Sequence, residues 1–191
     1  ALDNTFKGSN AGLCEILELQ HKTILIPQAG TIKQLTTYVP KENVEAVRTA
    51  LFEVGAGSIG NYSNCSFNIN VEGTFKGNEN SNPFVGKKHV LQIEKEVQLN
   101  INFEKHLEKS VIETLFQNHP YEEVAYEIIT LENSNQNIGI GMIGLLEIPM
   151  SSSEFLNFIK IKFNSSLIRH SELLNTSIHK VAVLGGSGSF A

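Results

Sequence analysis

The stretch LQIEKEVQLNINF, residues 91–103, decides how the chain is read. Leu91, Ile93, Val97, Leu99, Ile101 and Phe103 all fall on one row of alternate positions. Period two over this length predicts a strand with one buried and one wet face. CSFNINVEGTF, 65–75, alternates in the same way through Phe67, Ile69, Val71 and Phe75, and the same burial is expected for that row. Gly77, Pro83 and Gly86 are turn formers in the connection between the two strands.

Working outward, KQLTTYVP (33–40) is strand-like and stops at Pro40. KENVEAVRTALFEVGAG (41–57) follows as a helix, with Val44, Val47, Leu51 and Val54 at helical spacing and Gly55 or Gly57 for the C-terminal turn. On the other side, 104–120 reads as a helix with Leu107, Val111 and Leu115 on one face, and EEVAYEIITL (122–131) as a last strand. The order β-α-β-β-α-β is the ferredoxin-like arrangement, four antiparallel strands with two helices on one face. The sheet's second face is then solvated or partly covered by a partner.

The flanks read differently. Residues 9–19 make a short amphipathic helix that Ser9 or Asn10 can cap. SSSEFLNFIKIKF (151–163) is a helix with a Ser151–Glu154 capping box and an apolar stripe of Leu156, Ile159 and Phe163. SLIRHS and KVAVLGGSGSFA read as a strand pair. Residues 1–32 and 132–191 are therefore expected to be two pieces of one α/β domain, split by an α+β insertion over 33–131. The sequence opens on ALDNTF without an initiator Met and ends in a glycine-rich turn, which reads as a fragment.

Two glycine motifs invite a nucleotide-binding reading. Gly139-Ile140-Gly141-Met142-Ile143-Gly144 is a literal G-x-G-x-x-G. That fingerprint needs a strand before it and a helix after it. Polar ENSNQNI leads in and Pro149 stops any helix within a turn, so these glycines are expected to serve close packing of a strand against another backbone. Gly186, Ser187 and Gly188 open a G-x-G-x-x-A pattern directly after the strand KVAVL. Their N–H groups can cradle an anion, or they form a tight turn only.

A formal net charge of −5 argues against a nucleic-acid partner, and no run is apolar enough to span a membrane. Cys14 and Cys65 make no disulfide framework, and free thiols in a reducing, cytoplasmic setting are expected. Of the six histidines, no two stand three or four apart to offer a zinc pair. The densest polar cluster is His119-Pro120-Tyr121-Glu122-Glu123, where a histidine suits a helix C-terminus.

Several stretches, in order, resemble the NIF-three-like family, whose members are often labelled GTP cyclohydrolase I type 2 homologs: LDNTFKGSNAGLCEIL, GNYSNCSF, GTFKG, NPFVG, HPYEEVAYEI, GIGMIGLL and KVAVLGGSGS. HPYEEVAYEI also resembles the end of the CutA/PII-like fold that the family carries as an insertion. The resemblance implies a site for two divalent ions (Zn, Fe or Mn) in the split domain. Its ligands in the family are two adjacent histidines, the Asp of an H-T-x-L-D motif, and a late His and Glu. Leu2-Asp3 matches the end of that motif, so Asp3 is the one ligand transferred, the others being expected outside the chain. As a hard oxygen donor Asp3 can bridge two cations, and without the resemblance it would read as a turn or cap residue. The resemblance further implies a homo-oligomer, a trimer or hexamer. The function it implies is a two-metal hydrolase for a nucleotide-like or phosphorylated substrate, or a non-catalytic metal-binding assembly protein. Where the family often has Arg within G-x-G-R-x-G, this chain has Met142.

Overall fold

The computed structural model describes residues 5–186. The chain divides into two units, one formed by the segments up to Ala29 and from Ser134, the other by Gly30–Asn133. Element order in the first unit is α1 (Ser9–Ile16), β1 (Gln20–Pro27), β6 (Gly139–Met150), α4 (Ser152–Lys162) and β7 (Ile178–Val183). The second holds β2 (Ile32–Pro40), α2 (Val44–Glu53), β3 (Phe67–Phe75), β4 (Gln92–Glu104), α3 (Glu108–Asn118) and β5 (Tyr126–Thr130).

The Gly30–Asn133 unit has the order β-α-β-β-α-β and a fully antiparallel sheet of strand order β3-β4-β2-β5. Its core joins Leu35 and Val39 of β2, Val97, Leu99, Ile101 and Phe103 of β4, and the helix stripes Val44-Val47-Leu51 and Val111-Leu115. Both helices therefore cover one face of the sheet with the residues their spacing indicated. The C-terminus of α2 closes in a Schellman turn: Gly55 sits at φ +95° while the Ala56 N–H reaches the Leu51 carbonyl.

One expectation is overturned by register. Phe67 pairs with Asn100, Ile69 with Gln98 and Val71 with Glu96. Residues directly opposite in an antiparallel pair share a face. The apolar row of β3 thus lies with the polar row of β4, on the face away from the helices. Phe67 is 69% exposed and Ile69 53%. Leu91 precedes β4 and, like Ile93, is exposed, because the strand's buried row begins only at Val97. The centre of this open face carries an amide and hydroxyl ladder: Gln34 Nε2 to Asn102 Oδ1 (3.2 Å) and Thr36 Oγ1 to Asn100 Oδ1 (2.8 Å).

In the other unit a three-stranded antiparallel sheet, order β1-β6-β7, packs Ile24, Met142, Leu146, Val181 and Val183 with Cys14 and Leu17 of the α1 region. Helix α1 ends earlier than periodicity indicated. Glu18 takes φ +55°, and the Leu19 N–H closes a Schellman turn on the Cys14 carbonyl (2.9 Å). Neither Ser9 nor Asn10 caps it: Gly8 is the N-cap, without a side-chain bond. The capping box of α4 is present, its Ser151 hydroxyl and Glu154 carboxylate answering each other's backbone N–H. Its packed residues are Phe155, Phe158 and Ile159, with Phe163 left exposed beyond the helix end. SLIRHS is not a strand. Leu167 is exposed, so the segment buries no alternating row, and β7 pairs with β6 instead. The strand β1 carries a weak sequence signal, since QHKTILIP shows only a three-residue apolar run.

The G-x-G-x-x-G of 139–144 is the body of the central strand β6. A β-carbon at Gly139 would lie 2.3 Å from the Ile26 carbonyl oxygen. Gly141 combines φ +65° with a β-carbon position 2.9 Å from the Val183 carbonyl oxygen. These glycines admit neighbouring backbone on both sides, and the strand runs on past them to Met150 without turning into a helix.

Candidate functional site

Asp3, Ser187 and Gly188 lie outside the described residues. What surrounds them in sequence is well placed by the fold. Thr5 forms a bridge with Ile138, and the Phe6 N–H donates to the Asn137 carbonyl (2.9 Å), so the segment after Asp3 is fixed at the start of β6. Met142 stands opposite Val183, which brings the turn after β7 to the same end of the sheet. There the buried Asn10 side chain reaches that turn, its Oδ1 accepting the Gly185 N–H at 2.7 Å. Gly186 has φ +84° and open space where a side chain would go. Met142, in the position where the resemblance leads one to expect Arg, is fully buried in the core and offers nothing to an anion.

Among the described residues no three His, Cys, Asp or Glu side chains come together to hold a metal. Cys14 is buried, which pushes its thiol pKa up, and Cys65 is partly buried; both are free. His106 lies 3.3 Å from Glu104 and His89 3.9 Å from Glu79, both on the surface.

His119 is different. It is buried after α3, with Nε2 2.9 Å from the Tyr38 carbonyl and Nδ1 accepting the Tyr121 N–H at 3.1 Å. These partners select the neutral tautomer protonated on Nε2. Burial lowers its pKa, with the Tyr38 bond and Glu96 opposing. The ring is a neutral brace between β2 and the 119–125 segment, not the dipole-complementing cation its position indicated.

The residues it joins, Tyr38 and Tyr121, line a cleft of ≈ 630 Å³ in the Gly30–Asn133 unit, within the size range of small-molecule pockets. Its floor is β3 and β4, and its roof includes Pro83 and Phe84. The sequence concealed it for two reasons. Glu96 belongs to the polar row of an alternating strand and reads as wet, and the 76–89 connection reads as a solvated loop. The dense HPYEE cluster was the one visible sign.

A family model described as Duf34/NIF3 (NGG1p interacting factor 3) matches residues 1–191. The chain belongs to the DUF34/NIF3 family. A relative called GTP cyclohydrolase 1 type 2 homolog, from Bacillus subtilis, is 41% identical over 98% of the chain, and one of the same name from Halalkalibacterium halodurans is 38% identical. The solved structure of a Bacillus cereus protein related to NIF3 superposes with a TM-score of 0.81 at 36% identity, over 98% of this chain and 50% of that one. The chain spans about half the length of these DUF34/NIF3 relatives, covering 51% of each of the two named homologs. No helix among the described residues is long and apolar enough to cross a membrane.

Proposed function

We propose that this chain is the part of a DUF34/NIF3 protein that contributes Asp3 to a divalent-metal centre, and that the complete protein is a hydrolase of nucleotide-like or phosphorylated substrates. The observation that carries the reading is the family match over 1–191 together with Leu2-Asp3 at its start. The fixed Thr5–Ile138 bridge supports it, because a metal donor needs a rigid base. The described residues supply no metal site by themselves. In this proposal the remaining ligands come from the half of the relatives' length that this chain does not span. A bound ion pair would activate water and clamp a phosphate or carbonyl oxygen. The chain's own part in this proposal is to contribute Asp3 to the centre.

The full-length protein tests this by metal analysis. About two divalent ions per chain are expected, as in two-metal sites, with Asp3→Ala sharply depleted. Undiminished metal in that variant removes Asp3 from the centre. Metal-dependent hydrolysis is then assayed across nucleotides and phosphoesters.

A second reading is favoured by the exposed row of Phe67 and Ile69 on β3. Here the protein is a non-catalytic metal-binding oligomer, a trimer or hexamer, and the βαββαβ unit is a CutA/PII-like insertion that mediates assembly. Tight metal occupancy without turnover supports it over the first.

A further inference from the structure

The cleft of the Gly30–Asn133 unit has a chemistry that neither reading uses. It lies on the open face of the sheet, opposite the helices, because Val71, Gly73 and Phe75 of β3 share that face with Glu96 of β4 and Tyr38 of β2. The 76–90 connection closes back over it. The Asn82 N–H donates to Glu122 Oε1 (2.6 Å) and the His89 N–H to the Gly77 carbonyl (2.8 Å).

One wall is aromatic. Tyr121 packs against Phe75 and Phe84 with ring centroids 6.5 and 6.1 Å apart and planes tilted by 52° and 51°. Ring faces carry partial negative charge and attract cations, the more so when water is excluded.

The other feature is a carboxylate. Glu96 is only 9% exposed. It fits because position 73 is glycine: a β-carbon there would lie 2.6 Å from Glu96 Oε2. Among the described residues no Lys, Arg or His nitrogen lies within 4 Å of it. Its polar neighbour is the Tyr121 phenol, whose pKa is raised by burial first and by Glu96 next, so the phenol stays protonated and donates. A carboxylate nine-tenths buried, with room left beside it in the cleft, is matched by a positive ligand group. Glu122 and Glu123 also line the cleft, against the single Lys76. Three carboxylates against one ammonium disfavour an anion. A metal ion lacks a clustered donor set here, since no three such groups converge.

We propose that this cleft binds a small organic cation. Its amino, amidinium or guanidinium group pairs with Glu96, and its apolar body lies against Phe75, Phe84 and Tyr121. Neutral analogues lose the charge-assisted bond, and anions meet the acidic lining.

The test is calorimetric titration of the full-length protein with benzamidinium, benzamide and benzoate, three ligands of one shape and three charges. Benzamidinium is expected to bind at least about tenfold more tightly than benzamide, the scale of a hydrogen bond to a charged group, with no binding of benzoate. Glu96→Gln, which keeps the shape, is expected to abolish the preference. If that variant fails to fold, Gly73→Ala is read in the same way, because its methyl displaces the carboxylate. Absence of benzamidinium binding, equal affinity for the three ligands, or an unchanged preference in the folded variant overturns the proposal.

Discussion

Asn10 and Gly185 are joined by a hydrogen bond of 2.7 Å that spans 175 residues of sequence. The bond runs from the first turn of α1 to the turn that ends β7, and so connects the two segments that flank Asp3 and Ser187 in sequence. Asn10 is buried and caps nothing. Its position is explained by this contact rather than by helix propensity, which disfavours asparagine.

Asn10→Ala removes the acceptor and leaves the Gly185 N–H without this partner. The expected loss is about 0.5–1.5 kcal/mol, the net worth of a part-buried hydrogen bond. Chemical denaturation of the full-length protein measures it. A change within error would mean that the turn finds another acceptor and is not held by Asn10.

Two glycine-to-alanine substitutions are expected to go in opposite directions. At Gly139 the new methyl meets the Ile26 carbonyl oxygen at 2.3 Å and the Pro27 Cα at 2.8 Å, both backbone atoms that cannot rotate away. β1 must then separate from β6, and a loss of several kcal/mol follows, beyond the usual ~1–3 kcal/mol of overpacking. Gly12 lies inside α1 with nothing within 4 Å of its β-carbon position. Alanine there gains about 0.5–1 kcal/mol of helix stability. Paired thermal melts read both, and a tolerated Gly139→Ala would refute the close-approach account.

Much of this fold was legible because its signals are local. The α2 and α3 stripes, the long alternating strands and the Ser151–Glu154 box depend on period or on neighbours within one turn. What stayed hidden depends on register. Alternation shows that Phe67 and Ile69 share a face but cannot say which face, and the partner strand β4 decided against burial. Glu96 was hidden in the same way, as a polar residue at a polar position whose surroundings are supplied by Gly73 and by a loop distant in sequence. β1 escaped notice because its apolar run is short and its burial comes from α1 and β6. Asn10 looked like a cap because its true partner lies near the far end of the chain.

His119 makes stability depend on pH. Its native pKa lies below the ordinary value of 6.5, with burial as the main cause. Between those two pKa values the unfolded chain binds more protons than the native one, so stability rises with pH across that window. The contribution is complete above about pH 6.5 and is lost as pH falls toward the native pKa. Thermal melts from pH 7.5 to 5.5 are expected to show this decline. His119→Gln, whose amide can still donate to the Tyr38 carbonyl, is expected to be less stable at pH 7.5 but flatter across the window. An equal slope in the variant would assign the pH dependence to other groups.

The exposed row of β3 tests the assembly reading. Phe67 and Ile69 lie outside the core of their own unit, so replacing them with lysine removes no intrachain packing of consequence. Exposed substitutions usually change stability by no more than about 0.5 kcal/mol. The Phe67→Lys/Ile69→Lys double variant is therefore expected to fold as the parent chain does. If this row is an interface between copies, two new charges per chain would be desolvated against an apolar partner, a cost of several kcal/mol per contact. Light scattering after size exclusion should then show a smaller assembly of chains that keep the parent's circular dichroism spectrum. An unchanged mass would mean that β3 faces solvent in the intact protein, and its apolar row would have no part in assembly.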